Sequence, residues 1–276
     1  MTSLETLRTI KANRAAELLL WSRSHQTRLP GLPPDLVPGD LNEGYEIQAA
    51  VMSVRCMPVA GYKLGLTSEK AQRAADTFGP IVGRLASIDV HRAPCRIALP
   101  EKHLRIVEAE VVFEIGKDLP AGHAPYSEQR VMASLSRAFA GIEVCNTRFD
   151  ESVECSLACL VADNSNADLL VVGDVLPEQD LASLADLPVT LQRRGHAGIE
   201  GSTRSVLGNP LRALTWLANW LARQGEGLKR GQVVSSGSCT GMTELSAEDS
   251  VVATFGTGAR VSVEFSVESR RHEVKT

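Results

Sequence analysis

The chain has 276 residues, 43% of them hydrophobic, and a formal net charge of −4. This is enough apolar material for one large core, or for a core with a small helical appendage. Acidic and basic residues are interspersed, which excludes the basic footprint of a nucleic-acid-binding protein. Apolar runs are shorter than the roughly 20 residues that span a bilayer, and the first residues lack the pattern of a signal peptide. We therefore expect a cytoplasmic protein with neither a nucleic-acid nor a membrane partner.

Two helices are predicted before residue 58. Apolar positions between Leu4 and Trp21 recur at helical spacing, and the pattern stops before Pro30. After a linker rich in proline and glycine, Asp40 and Glu43 resemble a capping box that opens a second helix. We predict a helical N-terminal region, residues 1–58, followed by a β-rich catalytic domain, residues 59–276.

The catalytic domain begins with a short apolar strand, residues 59–66, that contains Lys63. A lysine is seldom fully buried unless it is paired. Lys63 therefore either extends its ammonium group to the surface or faces an anionic site. The strand pattern by itself favours the first alternative.

A second strand, residues 107–113, carries two carboxylates on one face. Side chains alternate along a strand, so Glu108 and Glu110 point the same way, with Cβ atoms roughly 7 Å apart. Alone, this pattern is typical of a solvated strand face. A third acid, Glu143, interrupts another apolar run, residues 141–145, and three carboxylates on strand faces are a plausible site for a hard cation.

Short strands dominate the rest of the chain. We predict a helix from Ser127 to Phe139, leading into the strand that carries Glu143, and a later helix capped by Asn209 and stopped by Gly225. Further strands are predicted at 169–172, 189–193, 232–235, 251–255 and 261–265. The six cysteines lack zinc-finger spacing, so we expect reduced thiols that are mostly buried: Cys56, Cys95, Cys145, Cys155, Cys159 and Cys239.

The segment Gly237 to Gly241 spells G-x-C-x-G, a cysteine version of the nucleophile elbow, with Asp249 and His272 in workable order behind Cys239. An elbow requires a helix directly after the nucleophile. The residues that follow are too few and too polar to form one, so we reject this interpretation.

Six separated motifs resemble the 2-keto-4-pentenoate hydratase and 2-oxo-3-hexenedioate decarboxylase family of the fumarylacetoacetate hydrolase superfamily. They run in order from about Val59 to Phe265, and six motifs are far more specific than one. They are Gly61 to Ser68 (GYKLGLTS), Glu108 to Glu110 (EAE), Gly141 to Glu143 (GIE), Ala162 to Ser165 (ADNS), Leu207 to Leu211 (LGNPL) and Ser236 to Ser238 (SGS).

The resemblance implies an α+β fold, a mixed β-rich roll of the fumarylacetoacetate hydrolase C-terminal type with outer helices. It implies that Glu108, Glu110 and Glu143 bind Mg²⁺ or Mn²⁺. The family's catalytic lysine falls on Lys63, so the resemblance implies that this lysine faces the site and does not extend to the surface as a snorkelling side chain. The residue that contacts the substrate carboxylate falls on Ser238. Two further substrate-pocket residues are implied by the fourth motif, namely Asn164 and Ser165.

The reaction that the resemblance implies is metal-dependent addition of water to a 2-hydroxy-2,4-dienoate, giving a 4-hydroxy-2-oxoacid in the catabolism of aromatic compounds. We also expect a homo-oligomer. The hydratases carry an acid shortly after the lysine segment, whereas residues 80–85 of this chain contain none and the nearest acids are Asp76 and Asp89. A 2-oxo-3-hexenedioate-type decarboxylase, an acylpyruvate-type C–C hydrolase and a non-catalytic partner subunit are therefore the alternatives.

Overall fold

The computed structural model describes residues 3–100, 106–150, 152–246 and 248–267. In these ranges the chain forms seven α-helices: α1 Ser3–Ser24, α2 Leu41–Arg55, α3 Glu69–Ala74, α4 Glu128–Met132, α5 Leu157–Ala162, α6 Glu178–Ala182 and α7 Pro210–Arg223. The strands are β1 Val59–Gly65, β2 Ile81–Ala86, β3 Val90–Arg92, β4 Cys95–Leu99, β5 Ile106–Ile115, β6 Leu135–Cys145, β7 Ala167–Val175, β8 Pro188–Arg193, β9 Ile199–Ser202, β10 Val233–Ser238, β11 Thr243–Glu244, β12 Ser250–Phe255 and β13 Ala259–Val267.

One sheet dominates the architecture, with strand order β2-β1-β10-β5-β6-β7-β3, and β11 pairs with β5 at the side. It curls so strongly that its first strand meets β7, since a Cβ at Gly83 of β2 would lie 2.9 Å from Ala167 Cβ. Leu85, Val112, Phe139 and other buried side chains fill the inside of the curl. The sheet thus encloses a lined interior rather than forming an open layer.

The main core lies outside this curl. A second sheet, β4-β13-β12-β8-β9, and the apolar face of α7 cover the opposite face of the curled sheet. Alternation along β5 sends Val107, Val111 and Phe113 into this core, each with no exposed surface, while the intervening acids point into the curl. Burial of the apolar face therefore fixes where the glutamates point.

The helical N-terminal region packs on the β-rich part through a small apolar cluster and through buried ion pairs. Arg55 of α2 binds Asp89 with both nitrogens, at 2.8 and 2.7 Å, and Arg23 of α1 lies 3.0 Å from Asp168. Because unpaired buried charges are costly, these pairs tie α1 and α2 to the sheet. No helix in the described ranges is long and apolar enough to cross a bilayer.

The α+β architecture expected from the sequence is confirmed, with one correction. The predicted helix from Ser127 to Phe139 ends at Met132, and residues 135–139 already belong to strand β6. The reason is non-local, because Phe139 and Leu135 pair with Val112 and Ile115 of the long strand β5. Hydrogen bonding to β5 outweighs the local helical preference.

Candidate active site

Lys63 and Glu143 meet inside the curled sheet. Three strand spacings separate β1 from β6, which would be about 14 Å in a flat sheet. The curl instead brings Lys63 Nζ to 2.9 Å from Glu143 Oε1, with both residues buried, at 4% and 1% exposure. The strand-based interpretation of Lys63 as a snorkelling side chain was therefore wrong, and the lysine faces an anionic site.

The other two predicted acids lie on the neighbouring strand. Glu108 pairs in register with Glu143, so the two side chains stand next to each other. Glu110 is fully buried, and its Oε2 accepts hydrogen bonds from Ser235 Oγ at 2.6 Å and from Gly237 N at 2.8 Å. These donors fix the orientation of Glu110 and leave its second oxygen turned away from them.

Gly237 and Ser238 form the wall beside these acids. Gly237 has a φ of +115°, and a Cβ there would collide with the side chain of Thr67, so the backbone N–H reaches Glu110 only because the residue is glycine. Ser238 pairs in register with Glu110, and its hydroxyl accepts a hydrogen bond from Gly241 N at 2.9 Å and favours the charged form of Glu108. Ser238 and Glu108 are half-buried, which places the opening of the site beside them.

The electrostatics of the site are those of crowded carboxylates. Burial and the charge of Glu143 raise the pKa of Glu108, and burial with the charges of Glu143 and Glu108 raises that of Glu110 well above its usual value. Burial opposes the charge of Lys63, yet its pKa is raised because Glu143, Glu108 and Glu110 favour the ammonium form.

The donor set fits a divalent cation. Three carboxylates and one ammonium carry a formal charge of −2, which one divalent ion would neutralise. Glu110 Oε1 and both oxygens of Glu143 are buried and accept no hydrogen bond, although Glu143 Oε1 forms the ion pair with Lys63. Buried oxygens without donors are costly, and carboxylate oxygens are the ligands that Mg²⁺, Ca²⁺ and Mn²⁺ prefer.

The structure also brings Cys145 into this cluster, a residue that the sequence analysis treated only as a reduced thiol. One ligand atom each from Glu108, Glu143 and Cys145 lies within 4.8 Å of the others. Strand alternation could have predicted that Cys145 lies beside Glu143, because residues 143 and 145 share a face of the strand.

Asn164 and Ser165 lie beside the site, but their side chains are hydrogen-bonded to strand β2. Asn164 Oδ1 accepts from Arg84 N and its Nδ2 donates to Arg84 O, both at 2.8 Å, while Ser165 Oγ donates to Val82 O at 2.9 Å. On the same edge, Tyr45 Oη of α2 accepts from Val82 N, and Gln48 Nε2 of α2 also donates to Val82 O. These side chains take the place of a neighbouring strand. Contact of Asn164 and Ser165 with the substrate stays a prediction.

We expect Asn164→Ala to lower the free energy of unfolding by about 2 to 4 kcal/mol, since two buried backbone groups lose their partners. Asn166→Ala is the matched control. Both residues have left-handed backbones, with φ of 56° and 60°, but the Asn166 side-chain oxygen has no hydrogen-bond partner. Urea denaturation of both variants isolates the contribution of the two hydrogen bonds. Equal stability of the variants, with a raised KM for Asn164→Ala only, would instead make Asn164 a substrate contact.

Residues 80–85, which lack the acid of the hydratases, have no room for an acidic side chain at Gly83, where this segment comes closest to Lys63. A Cβ at Gly83 would lie 2.6 Å from Asn164 O and 3.0 Å from Lys63 Cγ. Asp89 is buried in its ion pairs with Arg55 and Arg23, and Asp76 is exposed at the turn after α3. Neither acid shares the pocket of the three glutamates.

The rejected nucleophile elbow is absent from the described residues. No helix follows Cys239, whose side chain packs in the main core on the face opposite to the glutamates. Asp249 pairs with Arg193, and His272 lies outside the described residues.

Comparison with known proteins agrees with this geometry. A 2-keto-4-pentenoate hydratase of Burkholderia vietnamiensis is 30% identical over 225 residues, which cover 78% of this chain and 82% of that protein. A 4-oxalocrotonate decarboxylase of a Pseudomonas species is 28% identical over 209 residues, covering 74% and 79%. The solved 4-oxalocrotonate decarboxylase of Pseudomonas putida G7, complexed with magnesium and adipate, has a TM-score of 0.82 at 22% identity and covers 96% of this chain and 99% of that one. No protein-family model matches the chain.

A curled sheet that encloses a lysine and three carboxylates, in a chain with these relatives, defines an enzyme of the lyase class. The chain belongs to the family of 2-keto-4-pentenoate hydratases, is related to 4-oxalocrotonate decarboxylases, and shares its fold with a solved fumarylacetoacetate hydrolase family protein. The family, the fold and the enzyme class expected from the motifs are thereby confirmed.

Proposed function

We propose that this protein is a metal-dependent hydratase that adds water to a 2-hydroxy-2,4-dienoate and forms a 4-hydroxy-2-oxoacid. The observation that carries the proposal is the buried pair of Lys63 and Glu143 with Glu110 beside it, because both glutamates have buried oxygens that accept no hydrogen bond. The hydratase relatives support the substrate class. We assign the chemistry to residues 59–276, with the helical region 1–58 as its support.

We assign the divalent cation, Mg²⁺ or Mn²⁺, to Glu108, Glu110 and Glu143. When bound, it supplies electrophilic stabilisation of the negative charge that develops on a 2-oxo oxygen. Solved relatives of the same fold are complexed with magnesium, calcium or manganese, which supports this class of ion. The hydrogen bonds from Ser235 and Gly237 hold Glu110 in one orientation, so that its free oxygen is available to a ligand.

The remaining roles follow from position. Lys63 Nζ lies among the carboxylates and carries the proton that converts the dienol into the conjugated ketone to which water adds. Ser238 stands at the open side with a hydroxyl that can donate to an anionic substrate. The apolar layer behind Lys63, which includes Val112, Leu170 and Val233, keeps water away from the inner end of the pocket.

Decarboxylation of a 2-oxo-3-hexenedioate is the second candidate, and the crowding around Gly83 favours it. The hydratases carry an acid for proton transfer near this segment, and a side chain at residue 83 would collide with Asn164 O. Loss of CO₂ instead requires that the released electron pair be stabilised at the 2-oxo group. Both reactions use Lys63 and the three glutamates, so these residues alone do not separate them.

Product analysis distinguishes the two reactions. We expect the full chain, supplied with Mg²⁺, to convert 2-hydroxypenta-2,4-dienoate to 4-hydroxy-2-oxopentanoate faster than it releases CO₂ from 2-oxo-3-hexenedioate. Chromatography of the acids and a coupled CO₂ assay measure both rates on one preparation. Rapid CO₂ release with negligible hydration would replace the hydratase by the decarboxylase, and turnover of neither substrate would contradict both.

A further inference from the structure

Cys145 differs from the other two buried cysteines in what surrounds it. Cys159 and Cys239 pack in apolar clusters with aliphatic neighbours, whereas Cys145 belongs to no apolar cluster of the described residues. Its surroundings are ionisable, and Glu143, Lys63 and Glu108 all act on it. Apolar packing therefore does not account for a thiol at this position.

The thiol lies within reach of the carboxylates. Cys145 Sγ is 3.8 Å from Glu108 Oε2, and one ligand atom each from Glu108, Glu143 and Cys145 falls within 4.8 Å of the other two. An ion with metal–oxygen and metal–sulfur distances of about 2.1 and 2.3 Å joins an oxygen and a sulfur up to about 4.4 Å apart. The first distance already meets this limit. The 4.8 Å bound exceeds it by about 0.4 Å, and exceeds the limit of about 4.2 Å for two oxygens by about 0.6 Å, which a small side-chain rotation removes.

We propose that Cys145 is a metal-binding residue, which adds one sulfur to the oxygen donors of Glu108 and Glu143. The inference rests on the proposed function, which places a divalent cation at these glutamates. Carboxylates suit Mg²⁺ and Mn²⁺, whereas thiolates favour softer ions such as Zn²⁺ and Co²⁺. A softer ion replaces the thiol proton, which passes to solvent, while Mg²⁺ leaves the thiol protonated and unligated. The site thus accepts ions of two classes, and the concentration of each free ion decides which one is bound.

Cobalt is the probe that separates sulfur from oxygen ligands, because a thiolate bound to Co²⁺ gives a charge-transfer band in the near ultraviolet. The full chain, freed of metal by a chelator, is titrated with Co²⁺ and separately with Mg²⁺. We expect the band in the wild type and its loss in Cys145→Val, with Co²⁺ affinity about 10- to 100-fold weaker and Mg²⁺ affinity unchanged. Cys239→Ala, which removes an equally buried thiol on the opposite face of the sheet, keeps the band.

Cys145→Ser preserves the size and polarity of the side chain and gives the same test if the valine variant does not fold. The band should be lost in this variant as well. An unchanged band and unchanged Co²⁺ affinity in both variants, with Mg²⁺ bound normally, would overturn the role of Cys145 and leave the proposed function intact. A wild type that binds neither ion would overturn both proposals.

Discussion

We expect Lys63→Met to lower kcat by about 10²- to 10⁴-fold, the usual loss when one acid–base group is removed. Methionine fills the space of the lysine stem, but it removes the ammonium that lies 2.9 Å from Glu143 Oε1. The three carboxylates then have no cationic side chain beside them, and no group remains to carry the proton to the dienol. Steady-state kinetics at saturating substrate and Mg²⁺ measure the loss.

Lys70→Met provides the control for the loss of a lysine. Lys70 is exposed on helix α3, a few residues along the chain, and its replacement should leave kcat unchanged. Circular dichroism of both variants checks that they are folded. A folded Lys63→Met enzyme with near-normal kcat would remove Lys63 from the chemistry and leave it only a structural ion pair.

Glu110→Gln should weaken Mg²⁺ binding by about 10- to 100-fold, because the substitution removes a negative charge and the amide oxygen of glutamine cannot take over as the ligand. Ser235 Oγ and Gly237 N both donate to Glu110 Oε2, so glutamine must turn its carbonyl oxygen toward them. Its NH₂ group then points at the cation position. Isothermal titration with Mg²⁺ measures the affinity directly.

Thermal unfolding gives an independent measure of the same change. At a Mg²⁺ concentration about 100 times the wild-type Kd, the ion stabilises the wild type by about 2.7 kcal/mol, and a 100-fold weaker variant by only about 0.4 kcal/mol. Glu114→Gln is the control, because Glu114 shares the strand and the face of Glu110 but bonds Ser136 and lies near Arg92. Wild-type affinity in Glu110→Gln would show that this carboxylate is not a ligand.

Local patterns predicted the parts of the site that depend on a single strand. Alternation along β5 placed Glu108 and Glu110 on one face, and the burial of Val107 and Phe113 on the other face explains why this succeeded. The caps of α7 followed similarly from Asn209, Pro210 and Gly225. In each case the sequence signal lies within a few residues along the chain.

The failures involve interactions between distant segments. Local reasoning preferred a surface position for Lys63, because the partner that allows its burial stands three strands away and arrives only through the curl of the sheet. Strand β2 was not predicted at all. One of its edges bonds to β1 and the other to side chains of α2 and of residues 164–165, which no periodicity within residues 81–86 reveals.

The covered edge of β2 matters for aggregation while the chain is still folding. Open strand edges are templates for pairing with other molecules and lead to aggregation. Here the groups that would recruit a second chain, the backbone of Val82 and Arg84, are bound by Tyr45, Gln48 and Asn164. Two of these side chains belong to α2, so the edge is protected only after the N-terminal helices have docked. The helical region is thus a safeguard against misassembly during synthesis, in addition to supporting the strands around Lys63.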